Sequence, residues 1–137
     1  MRKHLLVVAT LLLLVSIIAG AKPLGIDLFG TWVNVDPDSG GTVQLVFLPN
    51  EQGGIQVYGY GVCDPSPCDW GATPLYLLTY PGETDTEWGM AIWDFGDGML
   101  TVAIIYLAGE YMVVESYSLL GPDSGGMRSI ELLKYVP

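Results

Sequence analysis

Short segments that are apolar or that alternate between apolar and polar residues run from residue 30 to the end of the chain. They are rich in Val, Ile, Tyr, Trp and Thr, which favour β-strands, and none of them shows sustained helical periodicity. The breaks between them hold Gly, Pro, Asp or Asn, which favour turns. The pattern predicts eight strands: Gly30–Val35, Thr42–Leu48, Ile55–Val62, Pro74–Tyr80, Trp88–Phe95, Met99–Leu107, Tyr111–Leu119 and Arg128–Val136.

The number and spacing of the strands indicate the fold class. Eight strands with short connections favour antiparallel pairing in sequence order, as an up-and-down barrel or as a sandwich. Closing the sheet into a barrel removes its exposed edges. We therefore predict an all-β chain that forms an eight-stranded antiparallel up-and-down barrel, with the sandwich as the alternative.

Strand parity predicts which side chains face the interior. Val43, Leu45 and Phe47 share one face of their strand, which we expect to point inward. In the next predicted strand, Gly59 and Gly61 lie on the same face as the apolar residues at the start of that strand. Glycines on an inward face would leave room for a ligand, and the alternative is that they only permit the strand to curve.

The N-terminal residues have the pattern of a secretory signal peptide. A basic start is followed by the apolar run Leu5–Ile18 and by the small residues Ala19–Ala21. We predict a signal peptide over residues 1–21, a single mature domain over residues 22–137 and a secreted or extracytoplasmic location. An uncleaved membrane anchor is the alternative.

Charge restricts the partners of the mature domain. Its basic residues are Lys22, Arg128 and Lys134, and three bases against 15 acids give a net charge of −12. Phosphate backbones and anionic lipids would repel such a chain. We expect no nucleic-acid partner and no stable membrane insertion once the signal is removed.

Cys63 and Cys68 are the only cysteines, and they flank the sequence DPSP. A zinc site usually needs four ligands, and the mature chain has no histidine because His4 lies in the predicted signal. A redox pair needs Cys-x-x-Cys at the start of a helix. An exported protein oxidises its cysteines, so we predict a Cys63–Cys68 disulfide and no metal.

Few residues offer catalytic chemistry. Without histidine in the mature chain a Ser–His–Asp triad is excluded. Asp94, Asp97 and Glu115 could supply two carboxylates for glycoside hydrolysis, but no spacing singles out a pair. We predict that the protein is not an enzyme and that it uses no cofactor.

The segment DPDSGG, which contains Asp36, Asp38 and Ser39, offers oxygen ligands for Ca²⁺. Its spacing does not match that of an EF-hand loop, so we predict a turn there.

Two motifs resemble a group of uncharacterised, mostly bacterial proteins. GTWVNVDPDSGG contains their W-x-N-x-D opening, and CDPSPCDWG contains their C-x4-C-D-W-G loop. A late turn of that family, Asp-x-Ser-Gly-Arg, appears here as Asp123-Ser124-Gly125-Gly126-Met127-Arg128, with Gly126 and Met127 inserted before the arginine. Tyr60 replaces the family's tryptophan before the first cysteine, and Asp64 replaces its histidine. The resemblance implies a small β-barrel and carries no function that could be transferred.

The opening Gly30-Thr31-Trp32 is also similar to the G-x-W start of calycin barrels, which include lipocalins and avidins. In avidin-type barrels the asparagine that corresponds to Asn34 contacts the ligand. This resemblance implies a calycin-like barrel that binds a small ligand. The predicted ligand-binding side chains are the asparagine and the nearby aromatics, namely Trp32, Asn34, Tyr58, Tyr60, Trp70 and Trp88.

Two roles remain open for Trp70. The disulfide loop could present the indole as a contact surface, or the indole could fold back over the end of the barrel.

The strand Met99–Leu107 is apolar on both faces. Its outer face is therefore predicted to pack on a partner, on a second copy of the chain or under the segment Pro23–Phe29. The alternative function is a protein-interaction or inhibitor module that uses this strand and the disulfide loop.

Three charged residues are predicted to be structural. Glu115 is expected to pair with Arg128 or Lys134 if their faces meet inside the barrel. The resemblance to lipocalin-type barrels also implies that Arg128 or Lys134 lies over Trp32.

Overall fold

A computed structural model describes residues 28–36, 38–85 and 88–137. The predicted signal peptide, residues 1–21, lies outside these residues. The eight strands are β1 (Gly30–Asn34), β2 (Thr42–Pro49), β3 (Ile55–Gly61), β4 (Cys68–Leu78), β5 (Trp88–Gly96), β6 (Met99–Ala108), β7 (Tyr111–Leu120) and β8 (Gly126–Val136).

The strands form one closed antiparallel barrel. Each pairs with its neighbours in sequence order, and β1 closes the sheet against β8, with Trp32 opposite Tyr135. The predicted up-and-down barrel is therefore confirmed, and the sandwich is not formed. No helix within the described ranges is long and apolar enough to cross a membrane.

The largest difference from the predicted strands is at β4, which begins at Cys68 instead of Pro74. The polar and glycine-rich segment CDWG is typical of a loop, but it pairs with the end of β3. A bulge near Gly59 and Tyr60 accommodates the extra residue between Asp69 and Gly71.

The interior of the barrel is packed with apolar side chains over most of its length. Their alternation along each strand is the pattern that a single buried face requires. The core cluster comprises Leu28, Trp32, Leu45, Phe47, Val57, Leu75, Ala91, Trp93, Ala103, Ile105, Leu107, Met112, Val114 and Leu133.

The predicted inward face of β2 is confirmed at Leu45 and Phe47, which are buried, but the prediction is wrong at the start of the strand. Thr42 is fully buried, whereas Val43 is only partly buried. A bulge between Thr42 and Gln44 shifts the register there, so that the residue on the inner side is a threonine.

The inward glycines of β3 do not leave an open lumen. Gly59 and Gly61 face inward. The space beside Gly59 is occupied by the indoles of Trp70 and Trp93, and the space beside Gly61 by the indole of Trp70. These glycines therefore provide room for tryptophan side chains of the chain itself.

One end of the barrel is closed by apolar residues. Leu28 is fully buried, and its carbonyl accepts a hydrogen bond of 2.9 Å from the indole of Trp32. The ring of Tyr135 packs edge-on against Trp32, with the ring centroids 5.5 Å apart. The prediction that Arg128 or Lys134 lies over Trp32 is wrong, because parity places both bases on the outer face of β8.

Candidate functional site

The other end of the barrel carries the buried polar side chains. It holds the ends of β1, β3, β5 and β7 and the starts of the other four strands. A recess of about 140 Å³ opens there. We call it the hydroxyl recess, and it is lined by Gly40, Gly41, Thr42, Gly61, Val62, Trp70, Ser116, Ser118, Met127 and Ser129.

Hydroxyl groups dominate the polar lining. The hydroxyls of Thr42 and Ser116 lie 3.3 Å apart, and those of Thr101 and Ser118 lie 2.9 Å apart. A hydroxyl has one donor and can accept two hydrogen bonds, so these pairs retain acceptor capacity. Ser116 and Ser129 are directly opposite each other in the β7–β8 ladder, which places their hydroxyls on adjacent strands of the same wall.

Glu131 lies directly behind this lining. Its side chain belongs to the inner face of β8, is only 2% exposed, and lies against Gly41 and Ser129. Among the described residues neither carboxylate oxygen has a partner with hydrogen-bond geometry. Burial raises the pKa of Glu131 above its ordinary value of 4.5. Weak hydrogen bonding from the Ser129 hydroxyl and the Thr42 backbone, which falls short of full hydrogen-bond geometry, offsets part of that rise.

The backbone of the β1–β2 loop covers Glu131 because position 41 is glycine. A side chain there would collide with the Glu131 carboxyl group and with the Ser129 hydroxyl. The loop is held from within by Asn34, whose amide donates to the Thr42 carbonyl at 2.7 Å and to the Ser39 hydroxyl at 2.8 Å. The Asn34 side-chain oxygen accepts from the Asp36 amide. Asn34 is thus occupied in ordering the loop.

The disulfide loop forms the rim beside β3 and β4. Cys63 and Cys68 are bonded, as predicted, and close the connection between the two strands. Trp70 follows the loop and turns inward. Its ring packs edge-on against the rings of Trp93 and Phe95, with centroid distances of 5.3 Å and 6.3 Å. Of the two alternatives for Trp70, the geometry corresponds to the one in which the indole folds back into the end of the barrel.

The six predicted ligand-binding residues are not brought together. Trp32 lies at the apolar end, whereas Asn34 and Trp70 belong to the polar end. The other three residues, Tyr58, Tyr60 and Trp88, lie on the outer face, since the inward residues of β3 and β5 alternate with them. The ring of Trp88 packs against that of Tyr106, with the ring centroids 5.0 Å apart.

The predicted structural charges lie outside the barrel. Arg128 donates to Glu115 from Nε at 2.8 Å and from Nη2 at 2.5 Å, and the Tyr117 hydroxyl donates to the same carboxylate oxygen. The bonds from Tyr117 and from Arg128 hold the pKa of Glu115 below its ordinary value. The expected pair therefore forms with Arg128, but on the outer face. Lys134 lies 3.9 Å from Glu110.

The other acids considered from the sequence are engaged in turns. Asp94 accepts from the Gly96 amide at 2.9 Å, and Asp97 occupies the following turn with a positive φ. In the β1–β2 loop, Asp36 accepts from the Asp38 amide in a turn of the predicted kind. Within the described part of the chain, no three His, Cys, Asp or Glu side chains are grouped so that they could hold a metal ion.

Of the residues that line the hydroxyl recess, only Trp70 is among the site residues predicted from the sequence. The available signal was the alternation Ser129, Glu131, Leu133, which places an acid and an apolar core residue on one face of β8. The bases Arg128 and Lys134 lie on the opposite face, and the structural charges were predicted from that face instead.

Comparison of the chain with protein-family models, with curated proteins and with solved structures finds no match. Inferences about function therefore depend on the geometry of the barrel itself.

Proposed function

We propose that the protein is a non-catalytic binding module of the extracytoplasmic space and that it takes a small polar ligand in the hydroxyl recess. The observation that carries this proposal is Glu131, an acid that is almost fully buried beside the recess. Among the described residues its oxygens have no partner with full hydrogen-bond geometry, and only the Ser129 hydroxyl and the Thr42 backbone lie close enough to interact weakly. Such a group costs free energy unless it is paired. A bound ligand would provide the missing partner.

The volume of the hydroxyl recess restricts the size of the ligand. A volume of about 140 Å³ holds roughly five water molecules at about 30 Å³ each. Pockets for drug-sized ligands are larger, about 300–1,000 Å³. The proposed ligand is accordingly a small molecule of a few non-hydrogen atoms, or the terminal group of a larger one.

Two observations support the location and the absence of catalysis. The Cys63–Cys68 disulfide is typical of an oxidising compartment outside the cytoplasm. The acids that were considered for hydrolysis are engaged elsewhere, Glu115 on the outer face and Asp94 at a turn. Neither of them faces the hydroxyl recess.

The proposal is tested by screening small polar compounds of all three charge classes by NMR. A true ligand should shift the backbone signals of Ser116 and Ser129 and the indole signal of Trp70. The variant Ser129→Leu fills the recess and should abolish these shifts. Thr84→Leu, at an exposed position near the other end of the barrel, is the matched control and should leave them unchanged. If no compound perturbs these signals, the proposed function is wrong.

The outer wall favours a second candidate, a protein-interaction module. Met99–Ala108 has half-buried apolar side chains on its outer face as well as buried ones inside. Apolar residues farther around the wall are exposed, with Leu119 at 53% and Ile130 at 55%. An apolar surface of this kind is typical of contacts with another protein or a second copy. Of the segment Pro23–Phe29, which was considered as a cover, residues 23–27 lie outside the described residues, and Leu28 is buried in the core.

Sedimentation velocity tests this second candidate. A homodimer formed through the outer wall should dissociate in Ile130→Glu, whereas Ser66→Glu, an exposed change in the disulfide loop, should leave it intact. The interaction module would be contradicted if the wild type sediments as a monomer and crosslinking recovers no partner.

A further inference from the structure

We infer that the hydroxyl recess is specific for a small organic cation, an ammonium or guanidinium group that pairs with Glu131. This inference rests on the proposed function and specifies the chemical class of the ligand.

The position of Glu131 gives the first argument. Its carboxyl group touches Gly41 and Ser129, and both of these residues line the recess. Glu131 itself does not line the recess, and both of its carboxylate oxygens are sealed from solvent. Contact with a positive group in the recess therefore requires the Glu131 side chain to rotate past Gly41, and this rotation is part of the inference. A carboxylate that gains a hydrogen-bonded cationic partner no longer incurs the cost of an unpaired buried charge.

The composition of the lining gives the second argument. None of the lining residues is basic, so the recess offers no positive partner to an anion. Its hydroxyl oxygens can accept hydrogen bonds from N–H groups. Trp70 contributes an indole, the aromatic group to which cations are most strongly attracted. The acidic chain as a whole also attracts cations.

The nature of the ligands favours an organic cation over a metal ion. Ca²⁺ takes six to eight oxygen ligands, usually with several carboxylates among them. Across the described residues, no cluster of three or more acidic, histidine or cysteine side chains exists that could hold a metal. One carboxylate beside a recess lined with hydroxyls matches the single charge and the several N–H donors of an ammonium or guanidinium group.

Guanidinium and urea provide a matched pair of probes, because they have nearly the same size and planar shape and differ in charge. Each is titrated at low millimolar concentration, below the range in which either denatures proteins, and is followed by NMR. We expect guanidinium to shift the signals of Ser116, Ser129 and Trp70 and urea not to shift them. Glu131→Gln, which keeps the shape of the side chain, should weaken guanidinium binding by about tenfold or more, as expected when a charge-assisted hydrogen bond becomes a neutral one.

The outcomes separate this inference from the proposed function. If urea shifts the recess signals as strongly as guanidinium does, or if Glu131→Gln binds guanidinium as well as the wild type, the recess is a binding site but the cationic class is wrong. If neither these probes nor the wider compound set shifts the signals, both proposals are wrong. The comparison of the two probes on the wild-type protein stands even if Glu131→Gln fails to fold.

Discussion

The carboxyl group of Glu131 occupies the space in which a side chain at position 41 would have to lie. Gly41 therefore allows the β1–β2 loop to pass directly over an acid on the inner face of β8. The contact joins residues that are 90 positions apart in the sequence. It explains why an ionisable group can be almost completely buried at the polar end of the barrel.

Burial of Glu131 should make the stability of the protein depend on pH. Its pKa in the folded state is raised above 4.5, the value expected in the unfolded state. At a pH between the unfolded-state and folded-state pKa values, the folded state keeps a proton that the unfolded state has released. This contribution to stability is therefore lost as the pH rises from about 4.5 through the folded-state pKa, and it is constant above that. In Glu131→Gln the loss is absent, so the variant should gain stability relative to the wild type over this interval. Urea denaturation at a series of pH values measures the difference.

The control for this experiment is Glu115→Gln. The pKa of Glu115 is lowered, so its contribution is present above the unfolded value of 4.5 and is lost as the pH falls through the folded value. The two variants should differ from the wild type with opposite pH dependence. A free-energy difference for Glu131→Gln that does not change with pH would show that Glu131 titrates normally.

The hydrogen bond from Tyr117 is the largest of the interactions that lower the pKa of Glu115. Removing the hydroxyl in Tyr117→Phe should therefore raise the pKa of Glu115 toward its ordinary value. Carbon-13 NMR of the carboxyl group measures the titration directly. Tyr111→Phe is the matched control, because Tyr111 lies on the same strand near Lys134 and should have no effect. An unchanged Glu115 pKa in Tyr117→Phe would mean that the hydrogen bond is not formed in solution.

The sequence predicted the number of strands and the closed barrel because turn chemistry and alternation act locally. Asp97 and Gly98, for example, both adopt positive φ in the two-residue turn between β5 and β6, as this kind of hairpin requires. The early start of β4 could not be predicted in this way. It depends on a bulge against β3, and bulges are defined by the partner strand and not by the local sequence.

The candidate site was harder to predict than the fold. The aromatic residues that were selected lie on both faces of the barrel, since the side of the sheet that each one occupies depends on register. Trp70 illustrates the difficulty, because its indole fills the space left by Gly61 on the adjacent strand. Glycines on an inward face can indicate either a cavity or a large neighbour, and only the three-dimensional packing decides between them.

The contact of Gly61 with Trp70 can be tested by substitution. A Cβ atom at position 61 would lie 2.6 Å from both Cε2 and Nε1 of the Trp70 ring, which is a rigid neighbour. Gly61→Ala should therefore lower the free energy of unfolding by about 1–3 kcal/mol, the usual cost of overpacking. Chemical denaturation followed by circular dichroism measures this loss. In a Trp70→Leu background, where the ring is absent, the added methyl group should cost much less. Equal losses in the two backgrounds would show that the indole lies elsewhere.

The disulfide loop should contribute to stability without determining the fold. The bridge joins cysteines five residues apart, at a point where β3 and β4 are already paired through Gly61 and Cys68. For a loop of this length, closure in the unfolded state is expected to stabilise the protein by about 2 kcal/mol. Replacing both cysteines by serine should therefore lower the denaturation midpoint while the circular dichroism spectrum of the barrel is retained. Reductant should destabilise the wild type by the same amount and leave the double variant unchanged. A double variant without a β-sheet spectrum would contradict this prediction, because the barrel would then require the bridge in order to close.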